Sequence, residues 1–308
     1  MALEATKVTM VDLCEHFLKH YCTVPVYTDS RKVSGLRSHA GVKHHINIIG
    51  EHFGCKPLRS ITHNDLKEFK LLRLNTPTCH GTSRAIGTVN REMAYLRRLL
   101  TLATQHGWLN RNVFLGGDSL ISLADEKPRD RILTRDEEMA LLNVCTGRRK
   151  HLRAILICGL DTAMRRGEMI KLTWQNVDLE KRIIFIEALN TKTLKERYVS
   201  ITNRLLKELV ALKEKANGKG DSLVFGITDS FKTAFNNAAK AAHLEDFRFH
   251  DIRHTSITKL IQAGMDIHSA GKLAGHTNVA TTFRYLNVDH ETAQQAAKIF
   301  ESYQDQTD

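Results

Sequence analysis

Six polar side chains in the second half of the chain have the types that phosphodiester chemistry requires: Arg165, Lys192, His250, Arg253, His276 and Tyr285. Attack on a phosphodiester needs a nucleophile, charge stabilisation on the non-bridging oxygens and a proton for the departing oxygen. Tyr285 is the candidate nucleophile. A free tyrosine has a pKa of about 10, so it needs proton removal and nearby positive charge to react. Arg165 and Arg253 stay charged and offer planar forks to two phosphate oxygens. His250 and Arg253 are i,i+3 neighbours, so both project from one face of a helix and can share one phosphate. Lys192 sits in a loop between two strand-like runs, where it can serve as general acid to the leaving 5′-oxygen. Lys195 competes for that role from the same loop. His276 follows Gly275, which lets the backbone turn sharply; it is either a phosphate ligand or a helix-capping histidine. Together the six describe breaking and rejoining of a DNA backbone through a covalent phosphotyrosine.

Each residue also has an ordinary reading. Most tyrosines are packing residues with a hydroxyl in water. An isolated H-x-x-R is usually incidental, and a loop lysine is usually solvated. Arg166 is a surface residue or a DNA contact. Glu168, i,i+3 from Arg165, either orients that arginine or is a solvated carboxylate. His254 is taken to point elsewhere and to be structural.

Composition sets the frame. The chain has 308 residues, 42% hydrophobic and 26% charged, with a formal net charge of +11. That length suggests two domains and ample core. The positive surplus favours a polyanionic partner, although charge alone leaves a soluble basic protein equally open. The six cysteines form no C-x-x-C pair, which fits free thiols in a reducing compartment, and the lack of a Cys/His cluster with tetrahedral-site spacing argues against a zinc site. Residues 1–10 lack a basic segment followed by an apolar run, and the apolar stretches are too short to span a bilayer. The expectation is a cytoplasmic protein with no membrane association.

The elements that must position the six residues follow from periodicity. Residues 8–117 are expected to be helical. Helices are read near Val11–Tyr21, over residues 38–53, from Thr62 onward, and most clearly over 88–106, where Val89, Met93, Leu96, Leu99, Leu100 and Ala103 recur at helical spacing. The opposite face of that last helix carries Arg91, Arg97 and Arg98, either solvated or in contact with phosphate. Gly116, Gly117, Asp118 and the polar stretch 124–130 read as a linker, with a boundary near residue 125. Thr134 and Glu137 form a capping-box pattern that opens a new helix. Residues 182–187 and 197–201 read as two strands joined by a loop, with a third short strand near 176–179. Helices are expected again at 203–215, 230–242, 250–263, 266–273 and 279–286. The tail, 289–303, places Ala293, Ala296, Ala297 and Phe300 on one stripe.

The motifs in order resemble the tyrosine recombinase (phage integrase) family. The segment 160–168 (Leu-Asp-Thr-Ala-Met-Arg-Arg-Gly-Glu), with Leu172-Thr173-Trp174 behind it, resembles the family's first box. Residues 249–255 resemble its H-x-x-R box. Leu273-Ala274-Gly275-His276-Thr277 followed by Thr282-Phe283-Arg284-Tyr285 resembles its last box, and Thr191-Lys192-Thr193 with Arg197-Tyr198-Val199 its β-hairpin lysine region. No single box is specific; their joint occurrence in order is. One departure is visible: Ala163 stands where glycine is usual.

The resemblance implies a mainly α fold with a small antiparallel β-sheet. It divides the chain into a helical core-binding (SAM-like) DNA-binding domain over 8–117, a linker over 118–130, an α+β catalytic domain over 131–288 and a tail helix over 289–308. Arg165, Arg253, His250 and His276 would bind and activate the scissile phosphate, with His250 also managing the tyrosine's proton. Lys192 would protonate the leaving 5′-hydroxyl and Tyr285 would form the 3′-phosphotyrosine. No metal, nucleotide or other cofactor is implied. The implied partners are double-stranded DNA recombination sites, further copies of the chain in a DNA-bound tetramer, and accessory DNA-bending proteins. The tail stripe would pack on a neighbouring subunit or in cis. The stretch before Val11 is short for a further arm-type DNA-binding domain. Two rivals keep the same fold: a type IB topoisomerase-like relaxase and a non-catalytic DNA-binding regulator.

Overall fold

The computed structural model describes residues 8–28, 31–126, 129–191, 195–214, 220–278 and 280–283. Lys192, Tyr285 and the tail stripe lie outside them. The chain divides into two compact units, Met1–Lys127 and Pro128–Asp308.

In the first unit, α1 (Met10–His20), α2 (His39–Phe53), α3 (His63–Asn75) and α4 (Ile86–Gln105) build one core. Two of these helices begin at capping boxes: Thr9 with Asp12, and Thr62 with Asp65. In each, the threonine hydroxyl accepts the amide of the third helical residue, whose carboxylate accepts the threonine amide in return. The apolar stripe of α4 is buried as its periodicity requires, including Val89, Met93, Leu96, Leu99 and Leu100. Its Arg91, Arg97 and Arg98 are exposed on the other side. The unit is not all-helical. A hairpin of β1 (Val26–Thr28) and β2 (Arg31–Ser34) joins α1 to α2. It escapes a search for alternation because all three β1 residues are exposed, so no buried face imprints a period of two on the sequence.

The second unit is built around α6 (Lys150–Thr162), which follows α5 (Arg135–Asn143) and packs on both a later helix pair and its own continuation. Residues 154–160 of α6 are all buried, which explains an apolar run with no polar face. α6 leads through a sharp turn into α7 (Arg166–Ile170). A three-stranded antiparallel sheet follows, in the order β3 (Val177–Asp178), β4 (Ile183–Ile186), β5 (Arg197–Ser200), with Ile184 opposite Val199 and Ile186 opposite Arg197. Ile184, Ile186 and Val199 face the core. Next come α8 (Asn203–Lys213), α9 (Lys232–Ala241), α10 (Phe249–Gln262), α11 (Ile267–Ala274) and α12 (Ala280–Phe283). α10 and α8 pack against α6. Gly159 makes the α6–α10 approach possible: a Cβ there would lie 3.0 Å from Ile252 Cγ2. Among the described residues no helix is long and apolar enough to cross a membrane.

Arg129, which composition places in the linker, is anchored on the second unit. Its guanidinium forks onto Asp251 on α10, with Nε to Oδ1 at 2.8 Å and Nη2 to Oδ2 at 2.7 Å, and Nη1 reaches Asp246 at 2.8 Å. Asp251 is 1% exposed and also accepts the Arg248 amide, closing the first turn of α10. Glu138 on α5 binds Arg204 of α8 and Lys259 of α10. These ionic contacts fix α10 lengthwise, which apolar packing alone does not do. Arg129→Met should therefore leave Asp251 buried without its main cation and cost about 3 kcal/mol in urea unfolding. A loss below about 1 kcal/mol would mean that the fork is only a surface contact.

Candidate active site

Four of the six residues singled out in sequence, Arg165, His250, Arg253 and His276, arrive from three places: the α6–α7 turn, one face of α10 and the C-terminus of α11. At the first, Ala163 ends α6 in the left-handed conformation, with φ 53° and ψ 20°. This is the physical reason a glycine suits the position. An L-residue there costs roughly 1–2 kcal/mol. The methyl recovers about 0.8 kcal/mol by burial, since Ala163 is fully enclosed beside Ile257 and Ala274. The alanine leaves the turn intact: Arg165 begins α7, and its amide donates to Glu168 Oε2 at 2.8 Å.

Arg165 is fixed at both ends of its guanidinium. Nη1 donates to Glu168 Oε1 at 3.0 Å, and Nη2 donates to the Gly275 carbonyl at 2.8 Å. Arg253 is 3% exposed and donates to the carbonyls of Ala163 and Ala274. Those two carbonyls orient the guanidinium. The Ala163 carbonyl belongs to the α6–α7 turn and the Ala274 carbonyl to the end of α11. Arg253 thereby ties all three carriers together. Gly275 is left-handed (φ 70°) and caps α11. It turns the chain so that its own carbonyl meets Arg165 while the next residue, His276, enters the site.

His276 is held by a side chain that sequence reading passed over. Its Nδ1 lies 2.9 Å from Thr282 Oγ1, and Thr282 is 1% exposed. Gly271 makes room for this, because a Cβ there would stand 2.7 Å from that hydroxyl. Glu168 orients Arg165 and is no solvated carboxylate: it is 3% exposed. It also accepts a two-pronged contact from Arg197 of β5, Nη1 to Oε1 at 3.1 Å and Nη2 to Oε2 at 2.7 Å. Burial pushes the Glu168 carboxyl up, but the hydrogen bonds and charge of Arg197, with the contribution of Arg165, outweigh it and hold the carboxyl below its usual range.

His254 does not point away from this group. Its ring meets that of His250 edge-on, with centroids 5.0 Å apart. Burial lowers the pKa of both His250 and His276. His254, Arg253 and Arg165 add to the shift of both, and Arg197 to that of His276. His276 is held down to about 4. Burial holds the His250 imidazole well below its usual value in the same way.

Two clefts open on this cluster. One, of about 350 Å³, is lined by Lys195, Arg197, His268, Lys272, His276 and Thr282. The other, of about 320 Å³, joins His250 to Arg166, Lys232 and Arg248 over the rings of Phe231 and Phe235. Cations outnumber the one carboxylate, Glu196, in the lining of these two clefts, which suits an anion. No group of three or more His, Cys, Asp or Glu among the described residues is placed to hold a metal ion.

The sequence pattern of the phage integrase family matches residues 131–292, more than half of the chain. The chain belongs to this family. It is 29% identical over 226 residues to a shufflon-specific DNA recombinase of Escherichia coli, covering 72% of this chain and 56% of that protein. It is 28% identical over 235 residues to the integrase of Salmonella phage P22, covering 70% of this chain and 59% of the relative. The chain thus spans less than two thirds of the length of these relatives. The fold is shared with the Tn1549 transposon integrase solved with transposon right end DNA (TM-score 0.75, 18% identity, 96% of this chain and all of that one). It is also shared with a lambda integrase solved as a tetramer on a Holliday junction (TM-score 0.71, 17% identity, 92% and 79%).

The depressed imidazoles give a pH signature. A histidine whose folded pKa lies below its unfolded value of about 6.5 takes up its proton preferentially in the unfolded chain. Stability should then be full above pH 6.5 and fall as pH drops toward 4. The Glu168 carboxylate adds to the loss at the acid end. The ring resonances of His276 should remain those of a neutral imidazole at pH 6, and a midpoint near 6.5 by NMR titration would contradict the packing described.

Proposed function

We propose that this protein is a site-specific DNA recombinase that cleaves and rejoins strands through a 3′-phosphotyrosine. The observation that carries the reading is that Arg165 and Arg253 are anchored by Glu168 and the carbonyls of Ala163, Ala274 and Gly275, close enough to His250 and His276 for their charges to act on both imidazoles. Two guanidiniums and two imidazoles there can accept a phosphodiester and the charge that grows on its non-bridging oxygens.

In the proposed reaction the Tyr285 oxygen forms a bond to phosphorus as the bond from phosphorus to the 5′-oxygen breaks. The tyrosine proton passes to a base, for which His250 is the candidate because its lowered pKa keeps it neutral at pH 7. Lys192 gives a proton to the 5′-oxygen. The reverse reaction rejoins the strand, so one transesterification is balanced by another and no outside energy source is needed. Family membership, the net charge of +11 and the likeness in fold to integrases solved on DNA support double-stranded DNA as substrate. By analogy with the lambda integrase tetramer, four copies would act on paired sites. The second unit would carry the chemistry, and the first would help to grip DNA with the exposed arginines of α4.

Tyr285→Phe should bind DNA but form no covalent adduct on nicked duplexes drawn from the DNA flanking its gene. An adduct that persists in this variant on a denaturing gel would displace Tyr285 as nucleophile. Lys192→Ala should slow cleavage by about 100-fold or more, as loss of a general acid does, with DNA affinity nearly unchanged. A 5′-bridging sulfur, which departs without protonation, should restore its rate. Failure of that rescue would move the acid to Lys195, which lines the cleft beside His276.

A further inference from the structure

We infer that Arg197 is a positioning residue of the phosphate clamp, one that keeps the charge of Arg165 available by sharing Glu168 with it. The inference rests on the proposed reaction and adds to it a residue outside the group of six.

Alternation along β5 sets the geometry. Arg197 and Val199 lie on one face of the strand, and Val199 is buried. The same face directs Arg197 inward, so an arginine enters where an apolar residue is expected, and only 9% of its side chain remains exposed. A buried guanidinium is costly unless it is paired and its donors are used. Arg197 meets both conditions at the candidate site: Nη1 and Nη2 go to Glu168, and Nε donates to the Leu273 carbonyl at 2.8 Å. Leu273 is three residues before His276. One side chain thus fastens the sheet to the carboxylate behind Arg165 and to the end of α11 that delivers His276.

The two guanidiniums converge at Gly275. A Cβ at that position would lie 3.0 Å from Arg197 Nη1 and 3.3 Å from Arg165 Nη1. Two cations this close repel, and the buried carboxylate between them is what permits the arrangement. The charge balance follows directly. Two guanidiniums and one carboxylate leave one net positive charge to face a phosphate. Without Arg197, Glu168 would neutralise Arg165 alone, and the net charge of the group would fall to zero. The loss would appear in activation of the phosphate, not in protonation of the leaving group.

The test compares single-turnover adduct formation by the full chain on two nicked duplexes. One carries the ordinary scissile phosphate and the other a methylphosphonate, whose non-bridging positions bear no negative charge. Arg197→Gln should form adduct on the phosphate on the order of 10- to 100-fold more slowly than wild type, with DNA affinity within a few-fold. On the methylphosphonate the gap should largely close. The double variant Arg197→Gln/Glu168→Gln restores the single positive charge and leaves no uncompensated buried carboxylate. It should react faster than Arg197→Gln alone. Unequal folding cannot imitate this pattern, because a merely structural defect would slow both substrates alike and would be worsened by the second substitution. The role is overturned if Arg197→Gln matches wild type on the phosphate, if the deficit is the same on both substrates, or if the double variant is no faster. If wild type itself forms no Tyr285 adduct on any duplex, the recombinase reading fails, and the role of Arg197 falls with it.

Discussion

A buried carboxylate shared by two arginines is the constraint on which the candidate site depends. Glu168 is buried, where an isolated negative charge would be prohibitive. It is tolerated because Arg165 and Arg197 supply hydrogen bonds and compensating charge from two different elements. The dependence is mutual: neither guanidinium would be so well placed without the carboxylate. A buried ionic group of this kind adds little net stability, but it restricts the number of arrangements the surrounding elements can adopt. Here it fixes the α6–α7 turn against β5 and the end of α11.

Main-chain carbonyls complete what the carboxylate begins. Ala163, Ala274 and Gly275 each present a carbonyl to an arginine. Two of these three residues have left-handed backbones, Ala163 and Gly275. Such turns leave helix-terminal carbonyls without helical partners, and the arginines satisfy them. Helix termination and placement of the proposed phosphate-binding groups are therefore one event. Neutral carbonyls also suit the proposed reaction, because they orient a cation while sparing its charge for the substrate.

The electrostatics of the cluster has a direction. Burial, reinforced by His254 and the neighbouring arginines, lowers the pKa of His250 and His276 and keeps both imidazoles neutral. A bound phosphate would offset that positive field and raise both pKa values. Protonation and anion binding at the site are thus coupled.

Much of this was legible in the sequence. The capping box at Thr134, the helix start at Thr62, the apolar stripe of α4, the three strands and the order of the motif boxes follow from local pattern, because periods of 3.6 and 2 are imposed by backbone geometry. The residue types and order named Arg165, His250, Arg253 and His276 as one group. The β1–β2 hairpin was not legible, since no buried face marks it. Arg129 read as linker, because charge content says nothing of a partner at Asp251, more than a hundred residues away. Arg197 and Thr282 were read only as members of motif boxes, and His254 as structural and pointing elsewhere, for the same reason. Their significance lies in contacts with Glu168, His276 and His250 that depend on how helices and sheet pack, and burial turns an ordinary surface arginine or threonine into a positioning group. The sequence by itself determined which chemical groups are present, on which elements, and in what order. Only the tertiary structure decided which of them share a carboxylate or a carbonyl, because such sharing requires elements far apart in the chain to meet within hydrogen-bonding distance.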